Sequence, residues 1–116
     1  MRGCCVSGTI LSIADSFRSE TLSLADDTAI GLTPPSSSAG AIISDKDDTV
    51  GVIAFSADAS PSIGSTGSAQ FATTTGVLTG TTGADTFLTA SSASDGKLYI
   101  ENRRGSSRSI TVLFIV

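Results

Sequence analysis

Apolar and polar residues alternate most clearly over residues 95–116, DGKLYIENRRGSSRSITVLFIV. Leu98 and Ile100 fall on one side of an extended backbone, and Lys97, Tyr99 and Glu101 on the other, the period of a half-buried strand. A polar loop follows at 102–107. The pattern then resumes with Arg108, Ile110, Val112, Phe114 and Val116 on one face and Ser109, Thr111, Leu113 and Ile115 on the other, so the two strands read as a hairpin. The second half of the closing strand is apolar on both faces. A sheet with one wet face does not turn Leu113 and Ile115 outward, so either a neighbouring subunit or a loop of the same domain is expected to cover them. Full burial of such a side chain is worth roughly 1.5 to 3 kcal/mol, which makes an uncovered pair costly.

Upstream, the same alternation defines a series of short strands. Residues 1–18 fit two patterns: Ile10, Ile13, Ala14 and Phe17 have helical spacing, while Thr9, Leu11 and Ile13 have strand spacing. They are treated as an N-terminal arm ahead of a β-domain at 19–116. From Glu20, Leu22 and Leu24 point inward, a turn falls at Asp26 and Asp27, and Ile30 and Leu32 point inward before Pro34 and Pro35 end the pairing. Residues 41–43 start another strand. In the run 50–55, VGVIAF, both faces are apolar, which predicts a central or doubly covered strand. Ala69 with Phe71, Val77 with Leu78, and Phe87 with Leu88 mark further short strands separated by glycines. Turn signals at this spacing predict an all-β fold, a single antiparallel β-sandwich, jelly-roll-like or barrel-like, of about eight short strands.

Composition fits that class. Of 116 residues, 20 are Ser, 15 Thr and 12 Gly, which disfavours long helices and suits strands and turns. Charged residues are only 16% of the chain, fewer than a solitary monomer's surface ordinarily carries, which supports subunit contacts. The net charge of −4 argues against a nucleic-acid partner, because a phosphate backbone calls for a basic face. No apolar run approaches the roughly 20 residues that span a bilayer, and the first residues lack the continuous apolar stretch of a secretion signal. The adjacent Cys4 and Cys5 can form only a strained ring, so they are read as free thiols of a protein made inside a cell.

Candidate chemistry is sparse. The chain contains no His, which removes the usual general base, the Ser/His/Asp and Cys/His arrangements, and nearly all zinc sites. The nine Asp and two Glu lie mostly in predicted turns, where Asp serves as a local hydrogen-bond acceptor. Asp45, Asp47 and Asp48 resemble a calcium cluster, but Lys46 sits among them and no Glu closes it. The sequence from Gly83 to Phe87 overlaps a calcium-binding repeat in one copy only, and such sites need stacked repeats. No catalytic residue, metal or cofactor is therefore expected. The one basic cluster, Arg103, Arg104 and Arg108, is either a solvated loop or a contact for an acidic neighbour, since Arg pairs with carboxylates bidentately. Tyr99 alone is too little aromatic surface for a sugar platform and is read as an interface or packing residue.

The chain resembles the small β-rich structural proteins on the outer surface of tailed-phage particles. The resemblance rests on residues 78–85, LTGTTGAD, on residues 96–103, GKLYIENR, and on the closing strand TVLF at 111–114. It implies a non-enzymatic virion component made in a bacterial cytoplasm: a capsid decoration or cement protein, commonly trimeric, that contacts the major capsid protein. The alternative it implies is a head or tail fibre module that binds host-surface glycan, against which the near absence of loop aromatics speaks. A secreted adhesin-like domain ranks third. On this view Tyr99, Leu113 and Ile115 belong to a subunit interface, and Ile10, Ile13, Phe17, Arg103, Arg104 and Arg108 to the capsid contact.

Overall fold

The computed structural model describes residues 17–116. Nine strands form in chain order: β1 Phe17–Leu24, β2 Thr28–Leu32, β3 Ser38–Ser44, β4 Val50–Ser56, β5 Ser62–Gly67, β6 Phe71–Thr75, β7 Leu88–Ser92, β8 Leu98–Asn102 and β9 Arg108–Ile115. They build two sheets, a five-stranded one in the order β1-β9-β3-β4-β5 and a four-stranded one in the order β2-β8-β7-β6. The fold is an all-β sandwich, with no helix among the described residues. Phe17 and Arg18, assigned above to the arm, are the first residues of β1. Cys4, Cys5, Ile10 and Ile13 lie outside the described residues.

The core is the two inner faces closing on each other. Ile110, Val112 and Phe114 of β9, Ala41 and Ile43 of β3, and Ile53 and Phe55 of β4 meet Leu88 and Ala90 of β7 and Leu98 and Ile100 of β8, all buried. Phe55 and Phe114 pack edge to face, with ring centroids 6.4 Å apart. Arg18, on the edge strand, lays its guanidinium over the Phe114 ring at 5.2 Å and donates to the Thr33 carbonyl, which seals that flank while the charge stays near water.

Several connections differ from the expected hairpins. The turns after β1 and after β8 each carry the chain from one sheet to the other: β1 pairs with β9, and β2 with β8. The stretch 95–116 is therefore a corner of the sandwich, and short loops with good turn chemistry do not distinguish a hairpin from a corner. Ile30 occupies an inner-face position opposite Ile100, but it lies on the edge strand β2 and remains 36% exposed. Val77 and Leu78 are not strand, although Leu78 is buried.

One pair, β6 with β7, is parallel in an otherwise antiparallel fold. Parallel neighbours need a crossover of about a dozen residues, and residues 76–87 supply it. That crossover runs over the outer side of the four-stranded sheet. It explains why every residue of β7 is buried, and why Glu101, expected outward with Lys97 and Tyr99, is fully enclosed. The five-stranded sheet has no such cover among the described residues. β4 is central in its sheet, one of the two expectations for it, and it is buried on its Gly51, Ile53 and Phe55 side; its Val50, Val52 and Ala54 side has no cover among the described residues.

Candidate interaction surface

The outer side of the five-stranded sheet can be assembled from the strand registers. One cross-strand row runs Phe17, Ile115, Gly40, Ala54, Gly64; the next runs Ser19, Leu113, Ile42, Val52, Thr66. A third begins Thr21, Thr111, Ser44, Val50, and Ser23 with Ser109 lies beyond it. None of these positions is charged. Alternation produces the face: the charged residues Arg18, Glu20 and Arg108 of β1 and β9 fall on the opposite parity, and every outward position is Ser, Thr, Gly, Ala or a larger apolar residue.

The middle row forms a continuous ridge. Ile42 is 37% exposed and Val52 47%, while Leu113 between Ser19 and Ile42 is half-buried by its cross-strand neighbours. Ile115, Phe17 and Val50 border the ridge and are exposed. Monomeric proteins seldom leave an apolar sheet surface of this kind open. Leu113 and Ile115 thus stand on the face expected of them, and no loop of the described chain screens them. A shallow open depression over the β4–β5 pair is lined by Ala54, Phe55, Ser56, Ser62, Ile63 and Gly64. Its lining holds no carboxylate, amine or thiol.

The basic cluster lies elsewhere and is committed internally. Arg108 Nη1 donates to Asp45 Oδ2 at 3.0 Å, Asp47 Oδ2 at 3.1 Å and Asp48 Oδ1 at 3.2 Å. Its guanidinium occupies the centre of the three carboxylates that resembled a calcium cluster. Asp45, whose side chain is fully buried, also accepts the backbone N–H groups of Asp47 and Thr49 through Oδ1, which shapes the β3–β4 turn. Arg104 donates to Asp48 Oδ2 at 2.8 Å, Gln70 Oε1 at 2.6 Å and the Thr86 carbonyl at 2.6 Å. Arg103 donates to Asp27 Oδ1 at 3.0 Å and to the Gly83 carbonyl at 2.9 Å.

Arg103, Arg104 and Arg108, the expected partner contact, tie the β8–β9 loop to the turns around it. The local sequence carried no sign of this, because the carboxylates that accept these hydrogen bonds lie 56 to 76 residues away along the chain. The Arg104 hydrogen bond, helped by Thr49, holds the Asp48 carboxyl below the usual carboxylate range, and the Asp27 hydrogen bond raises Arg103 further.

Glu101 was likewise not identified from sequence. Its carboxylate is fully buried and accepts three backbone N–H groups of the crossover, from Gly80 at 2.8 Å, Thr82 at 3.1 Å and Gly83 at 2.7 Å. Only glycine fits at two of those positions. A Cβ on Gly83 would stand 2.7 Å from Glu101 Oε1, and Gly80 has φ +115° with its Cβ position 2.5 Å from the Asp27 carbonyl. The motifs LTGTTGAD and GKLYIENR therefore form one physical unit, a glycine loop wrapped on a strand carboxylate. They hold the crossover to the sheet.

Tyr99 lies on the outer side of the four-stranded sheet, away from Leu113 and Ile115. Its ring covers Gly31, and its hydroxyl donates to Asp95 Oδ2 at 2.5 Å. That bond lowers the Asp95 carboxyl and raises the Tyr99 phenol. Tyr99 and the Leu113–Ile115 pair therefore stand on opposite outer sides of the sandwich. Phe17 does sit beside Ile115, so it joins the sheet face rather than a separate docking arm.

Comparison of the chain with protein-family models, with curated proteins and with solved structures finds no match.

Proposed function

We propose that this protein is a non-enzymatic structural component of a tailed-phage particle, a capsid decoration or cement protein that works through protein–protein contact. The observation that carries the reading is the outer side of the five-stranded sheet, where Leu113, Ile42 and Val52 form an apolar ridge in a field without charge. A face of this kind is built for another protein surface, because water gains nothing from it and no ionic ligand would be held there. Elsewhere among the described residues the charged side chains are largely engaged in internal clamps, as a passive scaffold requires. The resemblance of residues 78–85, 96–103 and 111–114 supplies the setting: the outer surface of a head assembled in a bacterial cytoplasm, with the major capsid protein as partner.

Such a component acts by adding buried contact area across neighbouring capsomers. Opening the shell then requires breaking more interface, and the bound state of the lattice is favoured by mass action. In this reading the sheet face carries contacts between copies, and the N-terminal arm is the element proposed to dock on the capsid. The test is co-sedimentation of the full chain with empty, expanded tailed-phage heads, compared with binding to intact host cells. Retention on heads with a raised melting temperature of the shell is the expected result. Binding to cells alone, or to neither, would overturn the reading in favour of a fibre module or an unrelated role.

A further inference from the structure

We propose that two copies of this chain pack face to face through the outer side of the five-stranded sheet, about a two-fold axis along β3. Leu113 of each copy then lies against Val52 of the other, and Phe17 of each enters the depression at Ala54 and Gly64. This rests on the assembly reading above and goes beyond it by fixing how a second copy sits on the face.

Charge is the first argument. The chain carries a net charge of −4, so two copies repel each other in general. The sheet face is a broad surface on which they meet with no like charges opposed and no charge to desolvate.

Geometry is the second. β3 is the middle strand of the order β1-β9-β3-β4-β5, so a two-fold along it lays β9 over β4 and β1 over β5. The registers then decide which side chains meet. Leu113 and Val52 flank Ile42 on either side and oppose each other across the axis, while Ile42 meets its own copy. In the next row Ile115 opposes Ala54 and Phe17 opposes Gly64, large residues against small ones. Among the described residues nothing but its chain neighbours stands within 4 Å of the Gly64 Cβ position, and the open depression lies at this spot. Ala54, Ser56, Ser62 and Gly64 of its lining have outward parity in the strand registers.

Size is the third. Five strands about 4.8 Å apart and about seven residues long at 3.3 Å each offer about 550 Å² per copy in flat projection, so the pair reaches the roughly 1,000 Å² that a specific interface needs. Aligned sheets pack within about 30° of parallel, which the registers allow. The Ser and Thr hydroxyls at the margins keep partners when covered: Thr21 and Thr111 lie 3.4 Å apart, and Ser38 and Ser56 2.7 Å.

The experiment is sedimentation velocity with light scattering on the full chain up to about 100 μM, where a dimer of even modest affinity is populated. A dimer mass is expected for the unmodified protein. Val52→Lys alone and Leu113→Glu alone are expected to weaken association more than about 30-fold. Mixing those two restores a dimer, because the new charges oppose each other across the axis. Should Leu113→Glu not fold, Ile42→Lys mixed with Ile42→Glu makes the same test, since Ile42 opposes itself. A monomer or trimer mass for the unmodified protein, or a dimer indifferent to Val52→Lys, would overturn the proposal. So would a monomer that dimerises only after Ile10→Asp with Ile13→Asp in the full chain, because residues 1–16 would then be the cover. A monomer that still binds heads removes the two-fold and leaves the virion role standing, whereas a dimer that ignores heads does the reverse.

Discussion

The two sheets of this sandwich treat their outer sides in opposite ways. The four-stranded sheet is covered by its own chain: the crossover 76–87 lies over β7 and β8, and polar groups beneath it are satisfied, Glu101 by three amides and Ser91 through the Gly76 carbonyl. The five-stranded sheet has nothing of the described chain over it, and no charged group stands on its outer side. A covering loop can bury polar groups because it brings its own backbone donors to meet them. A face awaiting a separate molecule does better with none, since any charge there would have to be desolvated at each encounter. The contrast separates a polar interior closed by the chain itself from an uncharged outer side that the described chain leaves open.

The comparison breaks most severely at Glu101. Glu101→Leu leaves the amides of Gly80, Thr82 and Gly83 without their acceptor, the first of them buried, and a loss of about 3 kcal/mol is expected in urea unfolding. Gly80→Ala should approach that loss by a different route, through backbone strain at φ +115° and collision with the Asp27 carbonyl. If either variant unfolds at the wild-type midpoint, the crossover is not the cover described.

Next is the clamp at the loop end of the sandwich. Arg108→Met leaves the buried Asp45 facing Asp47 and Asp48 without its cation, and about 3 kcal/mol should be lost. Added calcium would reverse that loss only if the three carboxylates could serve as an ion site once the guanidinium is gone, so calcium titration of the variant by differential scanning calorimetry sharpens the point.

Acid should act through Asp48. Its carboxyl is held below its ordinary value in the folded chain, first by Arg104 and then by Thr49, so the unfolded chain binds the proton more tightly. The stabilisation is therefore fully present above the ordinary carboxylate value and is lost as pH falls through the depressed folded value. Arg104→Met should flatten the acid limb of the stability profile below the ordinary carboxylate value, as followed by urea midpoints. The Asp95–Tyr99 pair obeys the same sign at its carboxyl and the opposite sign at its phenol, whose raised value makes its contribution fade as pH climbs through it. Tyr99→Phe should return the Asp95 carboxyl toward its ordinary titration, as read by carbon NMR.

The smallest effect on folding is expected on the bare face. Val52→Lys should change the stability of the monomer by no more than about 0.5 kcal/mol, since Val52 is nearly half exposed and its sheet face has no cover to disturb. A monomer destabilised as much as by the Arg108 change would mean that something in the chain already covers Val52.

Much of the fold was legible in one dimension because strand alternation is a local property. The inner residues of β4 and β9, the outward Leu113 and Ile115, and the sandwich class all follow from period-two patterns that need no knowledge of neighbours. Connections were less legible. The corner between β8 and β9 and the parallel β6–β7 pair depend on which strand lies beside which, and the turn residues are compatible with either arrangement. Side chains whose partners come from distant segments were misplaced for the same reason: Arg103, Arg104 and Arg108 read as exposed, and Glu101 as outward, until the loops that meet them are in place.

Residue order alone is enough to show that this chain forms short strands with two-faced patterns, that its outer strand positions near the C-terminus are oily, and that it holds no histidine to act as a base. Only the tertiary structure decided which of two oily faces remains open and which polar groups are taken out of water. Covalent order fixes the faces of each strand, but strand order, and the path of a twelve-residue crossover, fix what those faces meet.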